Sequence, residues 1–174
     1  MELEPRPESL PFHDPDEEQA RVDAPAPSQD ARIRHLQRVP LFSGFDENEL
    51  RRVAELSRIV EIPAGTVVTQ IGEPGDSFFV IIDGAVAVRT PVGAGSQLKP
   101  GDFFGEMSLL DGEPRSATIV ATTDLRVLIV DRSHFWRLLE ETPDLVGRIL
   151  TILSRRVRRL EQTLDAMLRG SNPT

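Results

Sequence analysis

Residues 60–130 consist of short β-branched and aromatic runs separated by turn residues, and this alternation is the feature that most constrains the fold. Each run has the length of one strand, and clusters of Gly, Pro and Asp separate the runs at close intervals. The runs are GTVVTQI, SFFVIIDG, AVAVRT, SQLKPGDFF, ATIVAT and LRVLIV. Evenly spaced short strands are typical of barrels and jelly rolls, so the sequence predicts a β-barrel or jelly roll at the centre of the chain.

Helical periodicity replaces the strand pattern on both sides of the predicted barrel. Between residues 31 and 58, apolar residues recur at helical spacing in two short segments, and Ser43 or Asp46 is the candidate cap of the second. After residue 133, a helical segment leads to one long helix over 144–170. The predicted fold class is therefore mainly β with flanking α-helices, with residues 31–143 as one domain and 144–170 as a long C-terminal helix.

One apolar seam follows the whole length of this long helix. Its members repeat at alternating spacings of four and three residues: Val146, Leu150, Leu153, Val157, Leu160, Leu164 and Met167. Such a repeat over about three heptads predicts a parallel coiled coil, and hence a homodimer; the alternative is that the seam folds back onto its own chain. A second apolar face, with Leu145, Ile149 and Ile152, is confined to the first half, which we expect to pack on the barrel and cap a ligand.

The two ends of the chain are predicted to be disordered tails. Residues 1–30 contain six prolines, and their nine acids and two arginines account for −7 of the formal net charge of −8. A segment so poor in large apolar groups buries too little surface to offset its ordering entropy. Residues 171–174 form the second predicted tail.

Composition argues against several classes of function. Outside residues 1–30 the chain is nearly neutral, without the basic excess that non-specific nucleic-acid binding needs. The chain has no Cys and three scattered His, so we expect no thiolate zinc site, no other metal site and no cysteine nucleophile. Because the chain shows neither a secretory signal nor a membrane span, we expect a cytoplasmic protein without membrane contact.

The stretch FGEMSLLDGEPRSAT, residues 104–118, interrupts the strands and has one carboxylate, Glu106, near its start and one guanidinium, Arg115, near its end. Gly105 allows a close backbone approach, and a short helix that begins near Glu106 presents unsatisfied N–H groups to an anion. Arg115 offers a planar fork of donors for phosphate oxygens, whereas Glu106 suits a ligand with hydroxyl donors. These residues favour a phosphorylated sugar such as a nucleotide; the alternative is a structural salt bridge between Glu106 and Arg115.

The same stretch resembles the phosphate-binding cassette of the cyclic nucleotide-binding domain, a family that includes catabolite activator proteins, protein kinase A regulatory subunits and cyclic nucleotide-gated channels. It has the order Phe-Gly-Glu, an apolar pair, a variable turn, Arg, and then small or hydroxyl residues. The segments LQRVPLFSGFDENELRRVA and GTVVTQIGEPGDSFFVIIDGAVAV extend the resemblance over about residues 34–160. The resemblance implies a set of ligand-binding residues: Phe104, Gly105, Glu106, Met107, Ser108, Arg115, Ser116 and Ala117.

Within this set the resemblance implies particular roles. Glu106 would accept a hydrogen bond from the ribose 2′-hydroxyl, and Arg115 would pair with the cyclic phosphate with help from the backbone of Gly105. Ser116 would touch the phosphate or the base, and Ala117 would line the phosphate site. Ser116 directly after the arginine favours cAMP as the ligand, with cGMP as the alternative, and no cofactor is implied.

The resulting interpretation is a non-enzymatic cyclic nucleotide sensor that transmits binding through its C-terminal helix to a dimer interface or to an effector protein. Only GSNPT follows Arg169, so we expect no helix-turn-helix and no nucleic-acid partner. Three alternatives stay open. They are a fragment of a Crp-like transcription regulator without its DNA-binding domain, a ligand-free interaction module with the same fold, and an enzyme acting on cyclic nucleotides, for which the sequence offers no base or metal cluster.

Overall fold

The computed structural model describes residues 28–91 and 93–170, and eight short strands form the centre of this part of the chain. Their bounds are β1 (Arg58–Ile62), β2 (Val67–Thr69), β3 (Ser77–Asp83), β4 (Val86–Thr90), β5 (Gly93–Leu98), β6 (Phe103–Phe104), β7 (Thr118–Ala121) and β8 (Leu125–Asp131). Strand β1 was not predicted from the sequence, because Arg58 and Glu61 interrupt its apolar run. The predicted run SQLKPGDFF is two strands, because a turn separates them in which the Asp102 N–H donates to the Lys99 carbonyl oxygen at 2.9 Å.

The eight strands form two antiparallel sheets of four. One sheet has the order β1-β8-β3-β6 and the other the order β2-β7-β4-β5. Buried apolar residues from both sheets join one core: Ile62, Val68, Phe79, Ile81, Val86, Leu98, Phe104, Ile119, Ala121, Leu125, Val127 and Ile129. The structure therefore confirms the predicted mainly β fold, in which two sheets pack face to face around an apolar interior.

Two α-helices precede the sheets. They are α1 (Gln29–Gln37) and α2 (Glu47–Glu55), with a 3₁₀ turn at Pro40–Phe42 between them. Helix α1 begins two residues before the boundary at residue 31 that the sequence suggested, because the Ser28 hydroxyl accepts the Ala31 N–H at 3.3 Å. The rest of the predicted N-terminal tail, and the predicted tail at 171–174, lie outside the described residues.

A reciprocal cap starts α2 at Asp46, one of the two candidates that the sequence offered. The Asp46 carboxylate accepts the Glu49 N–H at 2.9 Å, and the Glu49 carboxylate accepts the Asp46 N–H at 2.8 Å. This capping box satisfies two N–H groups that the helix itself leaves without partners. The helix then buries Leu50, Val53 and Ala54 along one face.

Helix α3 (Glu106–Asp111) lies between β6 and β7, and helix α4 (Arg132–Glu141) follows β8 directly. Phe135 of α4 covers the outer face of the first sheet, since its ring centroid lies 5.2 Å from that of Phe78 in β3. Phe78 also contacts Phe103 of β6, with 5.4 Å between ring centroids. Strand β3 is consequently buried on both faces, which explains why SFFVIIDG shows a continuous apolar run rather than alternation.

The described residues divide into two compact units, one up to Leu138 and the other from Leu139 onward. The second unit contains the end of α4 and the long helix α5 (Pro143–Gly170), which has Pro143 at its first helical position. Leu145 and Ile149 are buried near its start. Across the described residues, no helix combines the length and apolarity that a membrane crossing requires.

Candidate functional site

Helix α3 begins at a glycine that no other residue could replace without strain. Strand β6 ends at Phe104, and Gly105 then turns the chain into α3 with a φ of 86°. A Cβ at this position would lie 2.6 Å from the Ser77 carbonyl oxygen and 2.8 Å from Nη1 of Arg115. Both the left-handed φ and the missing space therefore require glycine here.

Arg115 is the buried cation of the site. It is 8% exposed, and its guanidinium donates to the carbonyl oxygens of Gly105 through Nη1 and of Ser77 through Nη2, each at 2.9 Å. Its own backbone is bound to the β2–β3 loop, because its N–H donates to the Glu73 carbonyl oxygen at 2.8 Å. The guanidinium carbon lies 5.7 Å from the centroid of the Phe79 ring. The position of this cation is thus determined by α3, β3 and the loop together.

The charge of Arg115 is only partly offset by its surroundings. Burial lowers the pKa of Arg115 below its ordinary value; the nearby Asp76 and Glu106 carboxylates raise the pKa, and Arg132 lowers it. The net shift is downward, although a guanidinium still keeps its proton at neutral pH. A desolvated cation of this kind favours an anionic ligand in its vicinity.

The predicted acid, Glu106, is the first residue of α3 and is 3% exposed. Its carboxylate is close enough to Arg115 to raise the pKa of that residue. A buried carboxylate requires hydrogen-bond donors or a charged partner. The structure therefore brings together the acid and the base that the sequence placed at opposite ends of the cassette.

The other predicted residues lie around this pair, but not all of them face outward. Phe104 belongs to the core, where its ring stacks on Phe79 with 4.8 Å between centroids, and Ala117 packs against the same core. Ser108 is buried, whereas Met107 is half exposed. The Ser116 hydroxyl lies on the exposed side of the cassette, 3.5 Å from the Met107 sulfur. Phe104 and Ala117 consequently support the cassette from inside the barrel.

A second set of residues, which the sequence did not indicate, lies in the loop between β2 and β3 and at the start of β3. Gly75 has no room for a side chain, since a Cβ there would lie 2.5 Å from Nε of Arg115 and 2.7 Å from Oγ of Ser108. Asp76 comes next, and its carboxylate raises the pKa of Arg115. The carbonyl oxygen of Ser77, the residue after it, accepts a hydrogen bond from the Arg115 guanidinium. The string EPGDSFF suggests a turn, but nothing local indicates that this turn contacts the cassette.

A polar cavity of about 140 Å³ adjoins Arg115. Its lining comes from the β2–β3 loop, from four strands and from the segment between α3 and β7: Arg58, Val68, Thr69, Gln70, Glu73, Pro74, Asp76, Ser77, Phe79, Arg115 and Ile129. Ligand pockets commonly measure about 300–1,000 Å³, so this cavity is small for a nucleotide. No group of three or more His, Cys, Asp or Glu suited to a metal ion occurs among the described residues.

A family model for the cyclic nucleotide-binding domain matches residues 59–142, from β1 to the end of α4. This part of the chain belongs to the cyclic nucleotide-binding domain family. The family suggested by FGEMSLLDGEPRSAT is therefore confirmed, and the cassette with Glu106 and Arg115 lies inside the matched domain.

Relatives of this cyclic nucleotide-binding domain occur in proteins of several architectures. The chain is 41% identical over 107 residues to a cyclic nucleotide-gated potassium channel of Mesorhizobium japonicum, a match that covers 62% of this chain and 30% of the channel. It superposes on the Thermus thermophilus catabolite activator protein with a TM-score of 0.65 at 31% identity, covering 74% of this chain and 62% of that protein.

A third relative belongs to a kinase whose name states that it does not depend on cAMP. The regulatory subunit of a cAMP-independent protein kinase A from Trypanosoma brucei superposes with a TM-score of 0.63 at 25% identity, covering 75% of this chain and 46% of that one. This chain thus spans less than two thirds of each of the three relatives. All three are named as regulators or channels rather than as enzymes acting on nucleotides.

Proposed function

We propose that this chain is a regulatory module that binds a cyclic nucleotide at the cassette 104–118. The observation that carries the proposal is the buried Arg115, held by the carbonyl oxygens of Gly105 and Ser77 beside the buried Glu106. Two of the five guanidinium N–H groups make these bonds, and the remaining donors suit phosphate oxygens. The pairing of one cation with one acid matches a ligand that presents a phosphate and a sugar hydroxyl.

Three residues of the cassette have distinct parts in the proposed complex. Arg115 pairs with the cyclic phosphate, and Glu106 accepts the ribose 2′-hydroxyl. The exposed hydroxyl of Ser116 is accessible to the phosphate or the base. By resemblance to the family, a serine directly after the arginine favours cAMP as the ligand, with cGMP as the alternative. The nucleotide acts here as a ligand and not as a substrate, so the module is not an enzyme.

Calorimetric titration with cAMP and with cGMP tests this function directly. We expect a saturable heat of binding with one site per chain and a higher affinity for cAMP. A higher affinity for cGMP would reverse the base assignment while leaving the site in place. No heat with either nucleotide, together with an unchanged melting temperature, would contradict the proposal and favour the ligand-free module.

Replacement of Glu106 by glutamine is expected to weaken cAMP binding roughly tenfold or more, since a hydrogen bond to an ionised carboxylate contributes about 1.5–3 kcal/mol. The titration is repeated with 2′-deoxy-cAMP, which lacks the hydroxyl in question. Both proteins should bind this analogue with similar affinity, because the variant and the analogue remove the same interaction.

The matched control for this experiment is Glu113→Gln. It removes the same charge from the exposed turn after α3, and its affinity for cAMP should stay at the wild-type value. An equal loss for cAMP and for 2′-deoxy-cAMP in Glu106→Gln would show that Glu106 does not recognise the ribose.

We further propose that α5 carries the signal, through a parallel homodimer or an effector protein. Within the second unit, five residues of the apolar seam are 54% to 70% exposed: Leu150, Val157, Leu160, Leu164 and Met167. In heptad positions, Arg156 lies at g and Glu161 at the following e, the spacing of an interchain ion pair. Both the seam and the charge spacing support a second copy of this helix as the partner.

Replacement of Leu160 by glutamate is expected to convert a dimer into a monomer, because it places a charge at a d position of the seam. Light scattering at micromolar concentration measures the change. The control, Gln162→Glu, adds the same charge at an outward f position and should remain dimeric. A wild-type protein that is monomeric in this measurement would contradict the proposed homodimer.

One alternative has a specific observation in its favour. Since the chain spans 62% of the Thermus thermophilus catabolite activator protein, it also fits the sensor part of a transcription regulator whose DNA-binding part lies outside this sequence. A gel-shift experiment at physiological salt tests for DNA binding by the chain as given. The cAMP titration does not distinguish an isolated sensor module from the sensor part of a transcription regulator, because both retain the nucleotide site.

A further inference from the structure

A second arginine, Arg132, joins the same two segments that Arg115 joins. It is the first residue of α4, directly after β8. Its Nη2 donates to the carbonyl oxygen of Gly75 at 2.7 Å and to that of Ser108 at 3.2 Å. Its backbone N–H also donates to the Asp76 carbonyl oxygen at 2.6 Å. One residue at the start of α4 thus binds both the β2–β3 loop and helix α3.

The two arginines hold the loop and the cassette at neighbouring points. Arg115 connects Ser77, at the end of the loop, with Gly105, at the start of α3. Arg132 connects Gly75 in the same loop with Ser108, one turn further along α3. Hydrogen bonds from a charged donor are stronger than neutral ones, so both connections contribute to the geometry of the cassette.

The contacts of Gly75 show how closely the two connections depend on each other. The space that a Cβ would take at Gly75 is already filled by Nε of Arg115 and by Oγ of Ser108. A shift of the loop away from Arg132 therefore changes the space available to the guanidinium of Arg115. Arg132 also lowers the pKa of Arg115, which means that the two cations repel each other across this loop.

We propose that Arg132 is a positioning residue that couples the occupancy of the cassette to helix α4. It holds α3 and the β2–β3 loop in the arrangement that directs Arg115 at its ligand. An anion bound to Arg115 relieves the repulsion between the two guanidinium groups, and the resulting adjustment reaches α4 through the backbone and side chain of Arg132. This inference rests on the proposed binding of a cyclic nucleotide.

The chain contains a natural reporter for this coupling. Trp136 is the only tryptophan, lies in α4 one turn after Arg132, and is 45% exposed. Its ring contacts that of Phe135, with 5.6 Å between centroids, so a shift of α4 changes its surroundings. Its fluorescence measures the response of α4, while calorimetry measures cAMP affinity independently.

The decisive variants are Arg132→Met, which keeps much of the side-chain volume without donors, and Arg132→Lys, which keeps one charged nitrogen able to reach two carbonyl oxygens. Arg132→Met loses both side-chain contacts to the loop and α3. We expect it to bind cAMP about tenfold more weakly, the factor for one charge-assisted hydrogen bond from a misplaced Arg115 to the ligand, and to show no fluorescence change at saturation. Arg132→Lys should bind within about threefold of wild type and retain the fluorescence change. The control, Arg126→Met, removes an exposed arginine of β8 paired with Glu61 and should behave as wild type.

The outcomes separate this inference from the proposed function. Absence of cAMP binding by the wild-type protein contradicts the proposed function itself. Wild-type binding together with an unchanged affinity and fluorescence response in Arg132→Met overturns the role of Arg132 alone. Should Arg132→Met fail to fold, Arg132→Gln, which keeps a neutral donor, takes its place: a weakened affinity with a reduced fluorescence response supports the positioning role, and wild-type values of both overturn it.

Discussion

Replacement of Arg115 by alanine is expected to weaken cAMP binding by roughly 30–150-fold, equivalent to about 2–3 kcal/mol of binding free energy. The size of the effect follows from burial, because water does not screen the charge of a residue that is 8% exposed as it would at the surface. The same change leaves the carbonyl oxygens of Gly105 and Ser77 without their guanidinium donor. The loop and α3 then lose one of the connections that hold them together.

Calorimetric titration with cAMP measures this effect, and thermal unfolding establishes that the variant is folded at the temperature of the titration. Arg126→Ala is the matched control. It also removes an arginine, but one whose pair with Glu61 is exposed, so the affinity should stay unchanged. Unchanged cAMP binding by Arg115→Ala would remove the basis for assigning the phosphate to this residue.

Replacement of Gly105 by alanine is expected to have the second large effect, on stability as well as on binding. Gly105 has a φ of 86° and Gly112 one of 76°, so alanine suffers a similar backbone strain of about 1–2 kcal/mol at either end of α3. Only at Gly105 would the new Cβ meet fixed atoms, at 2.6 Å from the Ser77 carbonyl oxygen. This overlap adds about 1–3 kcal/mol, the usual range for overpacking.

Urea unfolding of Gly105→Ala and Gly112→Ala measures the difference between the two positions. Gly112→Ala is a close control, because nothing lies within 4 Å of its added Cβ. Its free energy of unfolding should fall only by the backbone strain, and it should retain most of its cAMP affinity. In Gly105→Ala the added methyl also displaces Nη1 of Arg115, so cAMP affinity should fall with stability. Equal losses of stability in both variants would show that the close approach to Ser77 has no energetic consequence.

The elements with strong local signals are those that sequence analysis places correctly. Asp46 caps α2 because an acid three residues before Glu49 forms a capping box with groups that are all nearby in the chain. The long helix α5 is likewise evident from its repeat, and its start at Pro143 differs by one residue from the prediction. Strand β1 is missed because Arg58 and Glu61 obscure its pattern, and its pairing with β8 is a contact across more than sixty residues.

The identity of Phe104 helped to indicate the family, but the direction of its side chain could not be predicted from the sequence. Family resemblance places it in the ligand-binding set, and the structure stacks its ring on Phe79 inside the core. Whether a side chain at the end of a two-residue strand faces a ligand or the interior depends on the register of β6 against β3. That register is a property of the paired strands and cannot be inferred from FGEMSLL alone.

From the order of residues alone, a set of short strands between helices could be predicted, interrupted by a glycine, an acid and an arginine with the spacing of a nucleotide cassette. These features are local, since turns, caps and periodicity depend on residues close together in the chain. The contact between the β2–β3 loop and the cassette, in contrast, becomes visible only in the folded chain. Folding brings Gly75, Ser77 and Arg132 to α3 because β3 pairs with both β6 and β8, which aligns chain segments that are far apart in sequence.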